Sequence, residues 1–321
     1  MKILIVKSSS MGDIIHALPV AHDIREAMPD AEIHWVAEES FQDIPWLAPA
    51  VTKVHVQAFR RWRKSWLSSA TRREVAAFRQ ALAAERYDVV LDIQGLLRSA
   101  LVCRWTGRPS IGYTRRTVRE PIASFFYSRH LDLPEEMGAV LRYRTAAAEA
   151  LGYPLRGGDA VFGLDAKAEP VPAMATPYAA MAVNTSRDEK LWPEAHWVTL
   201  CRELLARGLP SVFYWGSAVE EERVRRIAAQ VEDAVVAPRA PLAAVAAGLK
   251  GASLTVGVDT GLSHLAAALG CPSVGIFVST PLETLRLFGD GPVESLGGVG
   301  KVPGADEVLA AAERVLARGR A

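Results

Sequence analysis

The turn after the first apolar run of the sequence carries residues suited to acid–base chemistry. Residues 3–6 predict a buried strand, and residues 7–13 then bring together three serines, a glycine and the carboxylate of Asp13. The spacing is neither G-x-G-x-x-G nor a Walker A motif, and an acid at this position would repel a phosphate. The turn therefore favours a group that handles a proton. An N-cap for the following helix is the alternative interpretation of Asp13, and one residue can serve both purposes.

Two turns in the second half carry groups that suit a phosphate. Residues 184–193, NTSRDEKLWP, follow a predicted strand and place hydroxyls and Lys190 before a helix. Residues 257–264, GVDTGLSH, end a strand and begin a helix at Thr260–Gly261, where small residues leave backbone N–H groups open to an anion. His264 lies one turn into that helix. A solvated polar loop and a structural histidine are the alternative interpretations.

Basic residues are concentrated in the first half of the chain. Trp62 and Trp66 are interleaved with the first basic group, a pattern that suits an anionic partner such as a phosphorylated lipid or an acidic sugar. Motifs that read bases are absent, so nucleic acid is not expected. A merely solvated surface is the alternative. The groups are Arg60, Arg61, Arg63 and Lys64, then Arg72 and Arg73, then Arg115, Arg116 and Arg119.

Composition narrows the class of protein. The 321 residues carry a formal net charge of +1, so the overall charge favours no partner. The three cysteines are far apart and form no C-x-x-C motif, which argues against disulfides or structural zinc and favours a reducing cytoplasm. Neither D-x-D nor H-E-x-x-H occurs, so we expect no metal and no other cofactor. No apolar stretch approaches the roughly 18 residues of a membrane span, which leaves only peripheral membrane contact.

Short apolar, often β-branched runs alternate with amphipathic stretches along the whole chain, as is typical of βαβ units and parallel sheets. Residues 165–177 contain three prolines and no periodicity, and are predicted to link a domain of residues 1–164 to one of residues 178–321. The sequence thus predicts an α/β fold with two Rossmann-like, doubly wound domains, an architecture shared by transferases and binding proteins. It leaves open whether the last helix packs on its own domain or back on the first.

The predicted elements follow from this alternation. The predicted helices include 14–28, 74–85, 98–105, 194–207, 220–231, 242–249, 262–269 and 306–318. The predicted strands include 3–6, 33–36, 53–56, 89–93, 110–112, 179–183, 210–214, 235–236, 254–258 and 273–278.

Three segments resemble the signatures of the bacterial ADP-heptose:lipopolysaccharide heptosyltransferases. They are residues 8–16, SSSMGDIIH, residues 187–193, RDEKLWP, and residues 258–265, VDTGLSHL, and their order and spacing match over nearly the whole chain. The basic stretch 60–64 and the sequence REP at 119–121 are more similar to heptosyltransferase I than to heptosyltransferase II.

This resemblance implies a GT-B type fold that binds ADP-L-glycero-β-D-manno-heptose mainly through its second half and takes Kdo2-lipid A as acceptor. It implies that Asp13 is the catalytic base and that Lys190 also takes part in catalysis. The acceptor-binding residues that we assign are Arg60, Arg61, Arg63, Lys64 and Arg119. The donor-binding residues that we assign are Ser10, Gly12, Thr185, Ser186, Lys190, Glu220, Asp259, Thr260, Gly261 and His264.

We therefore expect an inverting, metal-independent glycosyltransferase of lipopolysaccharide inner-core synthesis, cytoplasmic and peripherally associated with the inner membrane. Asp13 would accept the proton of the acceptor hydroxyl as the donor bond breaks. The first alternative is another nucleotide-sugar enzyme of the same fold, with a different donor or with epimerase activity. The second is a non-catalytic binder of an anionic ligand, against which the carboxylate of Asp13 argues.

Overall fold

The computed structural model describes residues 1–174, 177–282 and 285–319. They form two compact units, Met1–Val161 and Phe162–Ala321. The predicted domain boundary at residue 164 lies close to this division. The role of residues 165–177 as a linker stays a prediction, and residues 175 and 176 lie outside the described residues.

The first unit is built on a six-stranded parallel sheet with the strand order β3-β2-β1-β4-β5-β6. Its central strands are apolar and buried, as expected of a parallel sheet covered on both faces. The strands are β1 (Lys2–Val6), β2 (Glu32–Glu38), β3 (Val51–Gln57), β4 (Val89–Asp92), β5 (Ser110–Tyr113) and β6 (Arg129–Leu131).

Seven α-helices of the described residues belong to this unit. They are α1 (Met11–Ala17), α2 (Pro19–Ala27), α3 (Asp43–Trp46), α4 (Phe59–Trp62), α5 (Ser69–Ala84), α6 (Leu97–Trp105) and α7 (Ala139–Leu151). Short 3-10 helices span Glu39–Phe41, Pro121–Phe126 and Glu135–Met137. The prediction of one helix over 14–28 is wrong, because Pro19 has no N–H and starts a second helix after Leu18.

The second unit repeats the arrangement with the strand order β12-β11-β10-β7-β8-β9, and its neighbouring strands are parallel. The strands are β7 (Ala179–Ala182), β8 (Ser211–Phe213), β9 (Val235–Val236), β10 (Leu254–Val258), β11 (Ser273–Phe277) and β12 (Val293–Gly297).

The helices of the second unit cover its sheet. They are α8 (Glu194–Ala206), α9 (Ala218–Ala228), α10 (Leu242–Gly251), α11 (Gly261–Ala268) and α12 (Ala305–Gly319), with a 3-10 helix at Asp188–Lys190. The last helix, α12, packs against α8 and β11, and its apolar face, including Val308 and Val315, is part of the core of this unit. Nowhere in the described residues is a helix both long and apolar enough to span a membrane.

Both sheets are doubly wound, which confirms the predicted fold class. In each unit the chain adds three strands in one direction and then returns to build on the other side of its first strand. The carboxyl ends of β1 and β4 in the first unit, and of β7 and β10 in the second, are therefore topological switch points, where ligands bind in such folds. The turns after β1, β7 and β10 are the ones that the sequence had singled out.

Candidate active site

Asp13 lies in the first turn of α1, directly beyond the carboxyl end of β1. Its Oδ2 accepts hydrogen bonds from the backbone N–H of Ser10, at 3.0 Å, and from the Ser10 hydroxyl, at 2.8 Å. The alternative interpretation of Asp13 as the N-cap is wrong in detail, because α1 begins at Met11 and Ser10 is its N-cap residue, while Asp13 completes a capping box with Ser10 from the third helical position. The Asp13 side chain is still 31% exposed, and the hydrogen bonds from Ser10 leave Oδ1 unused.

Lys7 approaches that second oxygen from inside the unit. Its side chain is only 2% exposed, and its Nζ lies 3.7 Å from Asp13 Oδ1 and donates to the Tyr143 hydroxyl at 2.8 Å. Burial lowers the pKa of the Lys7 ammonium to about 8. Burial raises the pKa of Asp13, but Lys7 and the hydrogen bonds from Ser10 outweigh it and hold the pKa below its usual value. Asp13 is thus an ionised carboxylate at neutral pH.

The turn before α1 is fixed by residues from the neighbouring β4–α6 turn. Gln94 Oε1 accepts from the backbone N–H groups of Ser8, at 3.0 Å, and Ser9, at 3.2 Å, and Arg98 donates to the Ser9 hydroxyl at 2.7 Å. The roles of Gln94 and Arg98 in fixing this turn were not predicted from the sequence. Their position directly after the strand 89–93 was the available signal, since neighbouring parallel strands end at one edge of the sheet.

In the basic stretch after β3, one cationic side chain forms ion pairs within the unit and the others form none among the described residues. Arg61 pairs with Glu39, at 3.1 Å, and with Glu74, at 2.9 Å, so its charge is already neutralised within the unit. Trp62 is buried and donates to Glu74, and hence only Trp66 of the two tryptophans is exposed. The exposed cations of this stretch without an ion pair among the described residues are Arg60, Arg63 and Lys64.

Arg119 lies on the turn after β5. It is exposed, and it lies close enough to Lys7 to lower the pKa of that buried ammonium. The next residue, Glu120, accepts from the Leu97 N–H at 2.7 Å, which ties this turn to the start of α6. A cavity of about 600 Å³ opens beside it and is lined by Arg116, Thr117, Val118, Arg119, Pro134, Glu135 and Glu136.

In the second unit, Lys190 and Asp259 meet at the carboxyl ends of β7 and β10. Lys190 Nζ donates to Asp259 Oδ2 at 2.5 Å, and the Thr280 hydroxyl donates to the same oxygen at 2.7 Å. His264 Nε2 lies 3.7 Å from Oδ1. Burial raises the pKa of Asp259, but His264, Lys190 and Thr280 together bring it far below its usual value. Thr280 was not anticipated from the sequence, because nothing local marks it.

The two phosphate-suited turns of this unit are joined by a further contact. The Thr185 hydroxyl donates to the backbone oxygen of Asp259 at 2.9 Å. Thr260 is the N-cap of α11 and makes no side-chain cap bond, and Gly261 is the first helical residue, so the first N–H groups of α11 point out of the helix end. Predicted donor residues of both turns are therefore adjacent in space.

The remaining predicted donor residues make contacts of other kinds within their own units. Glu220 Oε2 accepts from the N–H groups of Gly216, at 2.7 Å, and Ser217, at 3.2 Å, and so caps α9 at the end of the neighbouring strand β8. Ser186 is exposed on its turn. Ser10 and Gly12 belong to the first unit, beside Asp13, and their assignment to the donor stays a prediction.

A cluster of His34, His55 and Glu85 has metal-ligand chemistry but is already satisfied. The Tyr87 hydroxyl hydrogen-bonds to both His34 Nδ1, at 3.0 Å, and His55 Nε2, at 2.7 Å. Glu85 pairs with Lys2, at 2.8 Å, and also with Lys53. The two ammonium groups that already pair with Glu85 would repel a metal cation bound there, so we interpret the cluster as a structural network. That the chemistry needs no metal stays a prediction.

Comparisons with known proteins identify the family of the chain. Residues 75–297 match glycosyltransferase family 9 (heptosyltransferase). Lipopolysaccharide heptosyltransferase 1 of Pseudomonas aeruginosa is 43% identical over 285 residues, which are 87% of this chain and 79% of that protein.

Two solved structures of the E. coli heptosyltransferase WaaC, each 38% identical in sequence, share the fold. The complex with ADP gives a TM-score of 0.92 over 98% of this chain and 99% of the other. The complex with ADP-2-deoxy-2-fluoro heptose gives 0.85 over the full length of both chains. The identity, the coverage and the family match together show that the chain is a glycosyltransferase and belongs to glycosyltransferase family 9, the heptosyltransferases.

Proposed function

We propose that this enzyme moves L-glycero-D-manno-heptose from ADP-heptose to a Kdo residue of Kdo2-lipid A, with inversion at the anomeric carbon. The observation that carries the proposal is Asp13, an ionised, partly exposed carboxylate at the switch point of the first unit. The names of the relatives support heptose transfer in lipopolysaccharide synthesis, and the two WaaC complexes support an ADP-sugar donor.

In the proposed reaction Asp13 accepts the proton of the acceptor hydroxyl. The hydroxyl oxygen forms the new bond to the anomeric carbon as the bond to the diphosphate breaks, and ADP leaves with the electron pair of that bond. A positioned general base contributes typically ~10²–10⁴-fold to such a step. The hydrogen bonds from Ser10 fix the direction of the carboxylate, while Oδ1 stays available for the proton.

Lys190 stabilises the leaving diphosphate from the second unit. Asp259 holds the ammonium by its Oδ2, and the N-terminus of α11 with Thr260 and Gly261 adds backbone donors beside it. Thr185 and Ser186 supply hydroxyls, His264 lies beside Asp259, and we assign Glu220 to a ribose hydroxyl of the donor. In this proposal positive charge from protein groups replaces a metal ion at the diphosphate.

The acceptor is anionic and belongs to a membrane, and we assign it to the basic side of the first unit. Arg60, Arg63, Lys64 and Arg119 are exposed there, whereas Arg61 is held by two glutamates and serves to fix the stretch. Kdo carboxylates and lipid A phosphates are suitable counter-charges. The enzyme would thus act at the cytoplasmic surface of the inner membrane.

The test is to incubate the protein with ADP-heptose and Kdo2-lipid A and to identify the product by mass. The expected product is Kdo2-lipid A with one added heptose, and ADP is released in equal amount. A parallel reaction with an ADP-hexose tests the donor. Release of heptose or a changed sugar nucleotide without a heptosylated lipid would contradict the proposal.

A further inference from the structure

Four large apolar side chains of the first unit point into solvent on two short segments. Trp66 and Leu67, each 68% exposed, lie between α4 and α5. Ile122, 53% exposed, and Phe125, 72% exposed, lie on the 3-10 helix Pro121–Phe126. Apolar exposure of this size in a small area typically marks a contact surface.

Each segment carries exposed cations beside its apolar residues. Arg63 and Lys64 precede Trp66 in the chain, and the Arg115 guanidinium lies 5.6 Å from the ring centre of Phe125. Within the described residues, none of these three cations has an ion pair. Arg61 and Arg116, by contrast, are paired with Glu39 and Glu74 and with Asp132. Each apolar segment thus has at least one cation nearby that no ion pair of the described residues neutralises.

The start of α6 joins the two segments on one side of the unit. The Arg98 guanidinium lies 5.9 Å from the ring centre of Phe59, the first residue of α4. The adjacent Leu97 N–H donates to Glu120, which directly precedes the 3-10 helix. The 3-10 helix itself packs on α6. The two apolar segments therefore flank one short helix and can contact the same surface.

We propose that these four side chains, Trp66, Leu67, Ile122 and Phe125, insert into the boundary between headgroups and acyl chains of an anionic lipid bilayer. Tryptophan and phenylalanine favour this boundary, and arginine and lysine beside them are attracted by anionic headgroups. The inference rests on the proposed function in one respect, because a membrane acceptor explains why a transferase would need such a surface. It assigns a lipid contact that does not involve the acceptor itself.

The experiment measures flotation of the full-length protein with acceptor-free vesicles of phosphatidylcholine alone or mixed with phosphatidylglycerol. Two paired variants remove the apolar side chains, Trp66→Ser with Leu67→Ser and Ile122→Ser with Phe125→Ser. The matched control is Trp46→Ser, because Trp46 is also 52% exposed in the first unit but follows the acidic Asp43 on α3. We expect wild type and the control to float with the anionic vesicles, and each paired variant to bind at least about tenfold more weakly.

A second measurement separates insertion from attraction by charge alone. Brominated acyl chains should quench the fluorescence of wild type on anionic vesicles, and the quenching should fall in Trp66→Phe, in which binding is retained. Unchanged thermal midpoints should accompany all variants, since the replaced side chains are exposed. Vesicle binding of the paired variants equal to that of wild type would overturn the proposal. A change in oligomeric state without a change in vesicle binding would do so too, and would assign the surface to a protein partner.

Failure of the lipid contact and failure of the proposed function give different experimental results. Transfer to a soluble Kdo acceptor without acyl chains should be the same in wild type and in the paired variants, whereas transfer to Kdo2-lipid A in vesicles should fall in the variants. Wild type that transfers heptose but fails to bind anionic vesicles refutes the lipid contact alone. Wild type that binds vesicles but transfers no heptose to either acceptor refutes the proposed function alone.

Discussion

Each unit places one lysine–aspartate pair at its switch point, and the two pairs are built in opposite ways. In the first unit the lysine is the buried partner: Lys7 is 2% exposed and Asp13 31%, with the charged atoms 3.7 Å apart. In the second unit the acid is buried: Asp259 is 6% exposed and Lys190 13%, with direct contact at 2.5 Å. The same two residue types thus present a carboxylate in one unit and an ammonium in the other.

Burial decides which partner of such a pair is available to a substrate. Asp259 has its carboxylate occupied by Lys190, Thr280 and a nearby histidine, so it positions the lysine and is a poor proton acceptor. In Asp13 both hydrogen bonds from Ser10 go to Oδ2. The other oxygen, Oδ1, has the Lys7 ammonium 3.7 Å away. This contrast suits a base that acts on an acceptor and a cation that acts on a diphosphate.

The largest effect should come from removing the presented carboxylate. Asp13→Asn keeps the shape and a hydrogen-bond acceptor for Ser10 but cannot take up a proton, so we expect transfer to fall by about 10²–10⁴-fold with ADP affinity nearly unchanged. Turnover measured with saturating donor, together with calorimetric ADP binding, checks this. The matched control is Asp30→Asn, an exposed acid of the same unit, which should retain full activity. Turnover of Asp13→Asn within a few-fold of wild type would show that Asp13 only caps the start of α1 and is not the base.

Removing the presented ammonium should have the next largest effect. Lys190→Ala should weaken donor binding and slow transfer together, by about 10²-fold in kcat/KM, because the lysine meets charge that grows toward the transition state. Donor affinity and single-turnover rates are the readouts. Lys250→Ala is the control, since Lys250 forms an exposed pair with Asp165 in the same unit, at 2.9 Å. Unchanged donor affinity in Lys190→Ala would mean that this turn is only a solvated loop.

The same variant makes a prediction for stability. Without Lys190 the buried Asp259 loses a partner and its pKa rises, so we expect a loss of about 1–3 kcal/mol in the free energy of unfolding at neutral pH. The depressed pKa of wild-type Asp259 stabilises the fold fully above the ~3.9 of an unfolded aspartate, and this contribution is lost progressively as the pH falls from there toward the folded-state pKa. The difference between wild type and variant should therefore shrink as the pH falls below that value. Denaturant unfolding at several pH values measures it, and a constant difference would contradict the assignment.

A smaller effect is expected from the buried lysine of the first pair. Lys7→Met removes the positive charge that lowers the pKa of Asp13, while the opposing effect of burial persists. The pKa of Asp13 should rise, so the acidic limb of kcat/KM should move to higher pH while donor affinity stays the same. Lys7→Arg keeps the charge and should restore part of the shift. An acidic limb that stays in place in Lys7→Met would show that Lys7 serves only the packing of the unit.

Sequence reasoning found Asp13 of the first pair and both members of the second pair, because strand ends are visible in a sequence. Asp259 directly follows an apolar run, and Asp13 and Lys190 lie on the turns after two others, where the parallel strands of each sheet bring their carboxyl ends to one edge. Lys7 was part of the first turn, but its burial and its contact with Tyr143 depend on α7, which no pattern predicted. That helix has apolar or small residues on most of its faces and lacks a clear 3.6-residue period.

The basic stretch shows the same limit of sequence reasoning. The four cations at positions 60–64 look equivalent in the sequence, yet Arg61 is neutralised by glutamates that are distant in the chain, and Trp62 between them is part of the core. The predicted helix over 14–28 failed for a local reason that was visible in the sequence, the proline at position 19. The burial and pairing within the basic stretch depend on residues that are distant in the chain. The break in the predicted helix depends on Pro19, which the helix prediction overlooked.

The smallest effect on transfer is expected from the basic stretch, where cations that form an ion pair can be compared with cations that do not. Arg63→Gln with Lys64→Gln removes two exposed charges that no ion pair of the described residues occupies, and should raise the KM for Kdo2-lipid A about tenfold at low salt, with ADP affinity unchanged. Attraction to an anionic surface is worth about 1 kcal/mol per cation, and screening over ~8 Å at physiological ionic strength should reduce the effect as salt is added.

The matched control removes the same charge elsewhere in the unit, Arg72→Gln with Arg73→Gln on α5, and should change KM much less. Arg61→Gln should instead lower the thermal midpoint slightly, because Glu39 and Glu74 lose their partner. Equal KM increases in the two double variants would show that net charge alone attracts the acceptor and that the stretch at 60–64 has no special part in binding it.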